Sequence, residues 1–113
     1  MRERKDIEFE SFRDGIVYLH DLTDDGKLGK QIAKLRFSNR TVSEGAYAES
    51  LQLDIQISRK IRVKMFQRID EDTKDYFRAK IGAQVYKISR VQHYRNNIPA
   101  VSDLTLSAER RRK

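Results

Sequence analysis

Chemistry in a protein chain needs nucleophiles, proton carriers or metal ligands at workable spacings, and this sequence offers few of them. It holds two histidines, His20 and His93, and no cysteine. Neither histidine belongs to an H-E-x-x-H or H-x-E pattern, so no zinc or deaminase signature is present. The acidic run Asp70-Glu71-Asp72-Thr73-Lys74-Asp75 resembles a calcium loop only superficially. Counted from Asp70, the sixth position is Asp75 and the twelfth is Ile81, where an EF-hand needs glycine and a bidentate glutamate. It reads as a solvated acidic turn. The segment Asp24-Asp25-Gly26-Lys27-Leu28-Gly29-Lys30 has glycines and lysines but lacks the G-x-x-x-x-G-K-[ST] spacing, and Gln31 follows Lys30. It reads as a loop. No carboxylate pair is singled out for glycoside chemistry. The expectation is a non-enzymatic protein without metal or cofactor.

Charge is the more informative property. The chain has 113 residues, a net charge of +7, 38% hydrophobic and 36% charged residues. That length suits a single domain spanning 1–113 with one modest core, and 1–12 and 108–113 read as flexible charged ends. Part of the positive charge sits in the terminal Arg110-Arg111-Arg112-Lys113. A second basic stretch, SRKIRVKMFQR, holds Arg59, Lys60, Arg62, Lys64 and Arg68 with no acidic residue. Such a surface favours anionic partners, nucleic acid or an acidic protein face, although solubility alone also accounts for it. No apolar run approaches the roughly 20 residues that span a bilayer. MRERKDIEFESF lacks the apolar region of a signal peptide, and without cysteine there is no disulfide framework. The reading is a soluble protein made in a cytoplasm.

The elements that would position these residues are strands. In QLDIQISRKIRVKMF, Leu53, Ile55, Ile57, Ile61, Val63 and Met65 share one parity, and Arg59 alone interrupts it. Alternation of this kind sets one face against a core and the other in water. Arg62 and Lys64 should then face solvent. The break at Ser58-Arg59-Lys60 predicts a bulge or a bend between two strands. Phe77, Ala79 and Ile81 alternate likewise, and Gly82-Ala83-Gln84 offers a hairpin turn into VYKISRV. GIVYLH, QIAKLRFSNR with Ala33, Leu35 and Phe37 on one face, and the Leu104, Leu106, Ala108 series complete the set. Pro99 breaks the chain before the last strand.

Between the first two strands, DLTDDGKLGK should be a long, exposed and mobile loop. Thr41-Val42-Ser43-Glu44 has capping-box spacing, so one short helix is expected there, weakened by about 1 kcal/mol at Gly45. About six antiparallel strands with one short helix predict an all-β fold, a small barrel or a sandwich. Phe66, Tyr86 and Tyr94 lie near basic residues, as stacking platforms of a nucleic-acid-binding barrel would, but they fit the core pattern equally.

The segment from Ile61 to Glu109 resembles the carboxy-terminal half of bacteriophage head-tail joining (head-closure, head-completion) proteins. The resemblance rests on Ile61-Arg62-Val63, Gly82, Tyr86-Lys87-Ile88, and Leu104-Thr105-Leu106 with Glu109. LRFSNRTVSEGAYAES looks like that family's strand, loop and short-helix middle section, so the likeness covers about residues 13 to 109. It implies a structural virion protein that forms a head-closure ring between portal or adaptor and tail, retains packaged DNA and docks the tail. Its partners would be portal, adaptor and tail-completion proteins and further copies of itself, with non-specific contact to packaged DNA. Its place would be the virion head–tail interface, after a period in the host cytoplasm. On this reading Asp24, Asp25, Lys27 and Lys30 of the loop, and Arg59, Lys60, Arg62 and Lys64 of the basic strand, are the candidate assembly contacts. The alternatives are a tail-terminator or tail-completion subunit, and a small basic nucleic-acid-binding β-barrel.

Overall fold

The computed structural model describes residues 11–41 and 57–108. The expected short helix, and the strand positions Leu53 and Ile55, lie outside the described residues. Six strands follow one another: β1 (Gly15–Leu22), β2 (Leu28–Arg40), β3 (Ile57–Lys64), β4 (Phe77–Ile81), β5 (Gln84–Tyr94) and β6 (Val101–Ala108), with a single turn of 3-10 helix at Lys74–Tyr76 before β4. They close into a barrel in the order β1-β2-β3-β6-β5-β4, every neighbouring pair antiparallel. Of the two architectures that alternation allows, the chain adopts the barrel, which leaves fewer strand edges to pair with other chains.

Outside β1, for which the sequence predicts a strand but no inward face, the inward parity is the predicted one. Val17 and Leu19 on β1, Phe37 on β2, Ile61 and Val63 on β3, Phe77 and Ala79 on β4, and Leu104 and Leu106 on β6 are buried together in one cluster. At roughly 1.5–3 kcal/mol for each large side chain removed from water, this cluster is the main stabilising element. Among the described residues register shifts interrupt three pairings, β1–β2 between Leu19 and Leu22 and the two that follow. The pairing of β3 with β6 shifts between Ile57 and Arg59, so the sequence break there is a bulge rather than a bend. The pairing of β5 with β6 shifts between Ile88 and Arg90, which lets both Ile88 and Val91 point inward. Close packing also uses an absent side chain. A Cβ on Gly15, whose φ is +154°, would sit 2.9 Å from two carbons of the Phe37 ring.

The long mobile loop expected over Asp21–Lys30 is instead a tight hairpin. β1 runs to Leu22 and β2 resumes at Leu28, with Leu22 paired to Leu28. Thr23 organises the five residues between. Its amide donates to the Lys27 carbonyl at 2.8 Å, its hydroxyl accepts the Lys27 amide at 3.0 Å, and the Gly26 amide donates to its carbonyl at 2.9 Å. Gly26 takes φ +80°, a conformation that costs a side-chain-bearing residue about 1–2 kcal/mol. The Asp21 carboxylate accepts the Lys30 amide at 2.7 Å, tying the two strands below the turn. Composition signalled a loop, but local hydrogen bonds from Thr and Asp shortened it.

Candidate docking surfaces

All strand directions agree on two barrel ends. One end gathers the β1–β2 hairpin tip, the 65–76 connection and the β5–β6 turn at 95–100, where the Ile98–Pro99 peptide is cis. These connections are braced against the barrel. The Met65 amide donates to the Ala100 carbonyl at 2.9 Å and the Phe66 amide to Ser102 Oγ at 3.1 Å. Asp70 Oδ1 accepts the amides of Asp72 and Thr73 at 2.9 and 3.0 Å, so the acidic run is a self-capped turn. Glu71 reaches across to accept the Val91 amide at 3.1 Å, satisfying a β5 backbone group that has no strand partner on that side. Ile69 is buried and plugs this end of the core.

On that framework sit the large apolar side chains that remain exposed among the described residues: Leu28, Tyr76 (68% exposed), Tyr94 and Ile98 (48%). Single exposed hydrophobics are ordinary, whereas four at one end of a barrel make that end a candidate contact surface. Sequence reasoning passed over Tyr76 and Ile98, because only the strand directions show that they share an end.

The predicted site residues divide between different places. Asp24, Asp25 and Lys27 are exposed on the hairpin tip, and Lys30 is exposed at the start of β2. Lys64 is exposed where β3 reaches the same end, whereas Lys60 pairs with Arg40 toward the other end. Arg59 keeps the inward parity. Its guanidinium lies 5.1 Å from the centre of the Phe37 ring and donates to Asn39 Oδ1 at 2.7 Å, so it caps the core.

Arg62 is not solvent-facing as the alternation predicted. It points outward yet is 7% exposed, because its Nε donates to Asp103 Oδ1 at 2.6 Å, its second terminal nitrogen donates to Oδ2 at 3.1 Å, and its guanidinium stacks 5.3 Å from the centre of the Tyr94 ring. A fork-to-fork pair of this geometry is both strong and directional. Lys60 adds a looser 4.0 Å contact to the same carboxylate. Tyr94 is thereby a lid on an ion pair, while Phe66 and Tyr86 pack against the core.

The outer wall has a consistent charge. β2, β3, β6 and β5 carry one carboxylate, Asp103, and that one is engaged by Arg62. Arg36, Arg40, Lys64, Lys87 and Arg90 project from these strands and are exposed.

Catalytic geometry is unfavourable where it comes closest. His93 Nδ1 lies 2.7 Å from Ser102 Oγ, a nucleophile–base spacing. Ser102 is fully buried, however, and its oxygen already accepts the Phe66 amide, so no substrate reaches it. His93 Nε2 is buried without a hydrogen-bond partner among the described residues. His20 Nδ1 donates to the Gly29 carbonyl at 3.1 Å and braces the hairpin. Among the described residues no three His, Cys, Asp or Glu side chains come together to hold a metal, and no helix is long and apolar enough to cross a membrane.

Comparison of the chain with protein-family models gives no match, and comparison with curated proteins gives none.

Proposed function

We propose that this chain is a structural, non-enzymatic subunit of the bacteriophage head–tail joint, a barrel that closes the head between portal or adaptor and tail. The observation that carries the reading is the gathering of Leu28, Tyr76, Tyr94 and Ile98 at one braced end of the barrel. A rigid face that exposes aromatic and aliphatic side chains costs little entropy to dock, which suits a protein that works by fitting between others. The resemblance of residues 13 to 109 to head-tail joining proteins supplies the class of partner. In a ring, each copy meets the next through two different patches, and the apolar end, together with the hairpin tip that carries Asp24, Asp25 and Lys27 at the same end, serves as one of them. The test is disruption of the gene in its source phage, followed by electron microscopy of the lysate. Normal-length tails lying free beside heads that have lost their DNA are the expected result. Intact virions, or heads bearing misshapen tails, would overturn the head-closure role.

A further inference from the structure

β2 is longer than the strand that closes the barrel beside it. It runs Leu28–Arg40, but β3 pairs only with Phe37, Ser38, Asn39 and Arg40. β3 itself ends at Lys64, opposite Val101 of β6. Residues 28–36 therefore keep an edge on the side away from β1 with no strand against it. Alternate residues of an antiparallel strand direct both their N–H and C=O to the same side. About half of these groups in residues 28–36 point away from β1, and among the described residues no backbone hydrogen bond is made on that side. The fold treats β5 differently. β4 leaves the β5 edge after Lys87, and there Glu71 accepts the Val91 amide while the Lys74–Tyr76 turn packs alongside. An edge left uncovered is a template for a further strand.

The side chains beside the β2 edge select that strand. Ala33 and Leu35 pack against the core, whereas Lys34 and Arg36 are exposed on the outer face. Among the described residues neither Lys34 nor Arg36 makes an ion pair. Two cations two residues apart oppose pairing with a second β2, because like charges across a strand pair destabilise it. They favour a strand with carboxylates on one face and apolar side chains on the other. The chain contains such a sequence in Asp6-Ile7-Glu8-Phe9-Glu10. In an extended strand Glu8 and Glu10 would stand about 6.6 Å apart, the same step that separates Lys34 from Arg36.

We infer that residues 6–10 of one copy add as a further strand to the β2 edge of a second copy. Glu8 and Glu10 then lie beside Lys34 and Arg36, and Ile7 and Phe9 join Leu35 on the inward face. A second copy is the source because of where β1 begins. Gly15 pairs with Phe37, at the level where β3 already occupies the β2 edge. To fill its own edge, a chain would have to double back over β2 within residues 11–14, about 13 Å of backbone. Two strand spacings of about 4.8 Å consume most of that length before the β2 side chains are cleared. Donor and acceptor are different parts of the molecule, so the exchange passes from copy to copy and can close a ring. None of these residues is among the assembly contacts that the resemblance implies. The inference does not rest on the head–tail reading, since it concerns association of the chain alone.

The test is analytical ultracentrifugation of the full chain over a concentration series, with amide hydrogen exchange on the same samples. The parent should associate reversibly, and exchange in residues 28–36 should slow as concentration rises. Glu8→Lys/Glu10→Lys and, separately, Lys34→Glu/Arg36→Glu should each associate about tenfold more weakly, because each sets like charges side by side. Mixed in equal amounts, the two variants should regain the parent's association, since each meets opposite charge in the other. Circular dichroism of Lys34→Glu/Arg36→Glu should match the parent, both side chains being exposed. A parent that is monomeric at every concentration would overturn the inference. So would variants that associate as the parent does, or a mixture no stronger than its components. Protection of residues 28–36 that is independent of concentration would also overturn it, by showing that the chain fills its own edge.

Discussion

Arg62 and Asp103, 41 residues apart in sequence, form a two-pronged ion pair on the outside of the barrel, with contacts of 2.6 and 3.1 Å. Both are nearly buried, and the Tyr94 ring lies over the guanidinium. The pair crosses the β3–β6 seam at directly opposed positions. It locks the register of those strands by a mechanism separate from the core.

Breaking that pair on one side should be costly. Asp103→Ala leaves a desolvated guanidinium without its carboxylate, and about 3–5 kcal/mol of stability should be lost. Replacing both partners, as Arg62→Met/Asp103→Leu, should recover most of it, because well-packed apolar residues need no mutual neutralisation. Urea denaturation of the three proteins measures this. A single variant as stable as the parent would show that the pair is not needed.

Core and surface leucines should respond in opposite ways. Leu106 is fully buried, so Leu106→Ala should cost about 2–5 kcal/mol through lost burial and the cavity left behind. Leu28 is exposed, and Leu28→Ala should stay within about 0.5 kcal/mol of the parent. Thermal unfolding followed by circular dichroism should separate the two.

In the hairpin, Gly26→Ala should cost about 1–2 kcal/mol, because alanine is forced into a left-handed conformation. Thr23→Val keeps the shape but removes the oxygen that accepts the Lys27 amide, at a cost of about 1 kcal/mol. Hydrogen exchange at Lys27 should accelerate in the second variant while core amides remain protected. Unchanged exchange would mean the turn holds without that hydroxyl.

Tyr76→Ala and Ile98→Ala should leave stability close to the parent's, since Tyr76 is 68% and Ile98 48% exposed. Under the proposed function they should nevertheless reduce the yield of tailed particles when supplied to a phage lacking the gene. Particle counts by electron microscopy give the answer, and a full yield from the double variant would remove the apolar end from the docking surface.

How much could be read in advance depended on range. The Ile61-Arg62-Val63 alternation declared a strand, and Phe37, Ala79, Leu104 and Leu106 fell on their core faces, because the two-residue period is a local property of the backbone. Gly82-Ala83 marked its hairpin for the same reason, and Ile81 pairs with Gln84 across it. The hairpin at Thr23–Lys27 was misjudged because polar composition signals a turn but not its length. The bulge between Ile88 and Arg90 leaves no mark in the pattern of VYKISRV, since the extra residue is accommodated only against β6.

By itself, then, the amino-acid order determined an all-β chain with a basic strand and a sparse set of catalytic groups. Tertiary structure alone decided that Arg62 is bound to Asp103 rather than open to solvent. It also decided that residues 28–36 of β2 keep an edge that β3 leaves unpaired, and that Tyr76 and Ile98 share an end with Leu28. The physical reason is that alternation sets which face a residue occupies, whereas barrel closure and strand register set its neighbours, and charge and burial depend on neighbours.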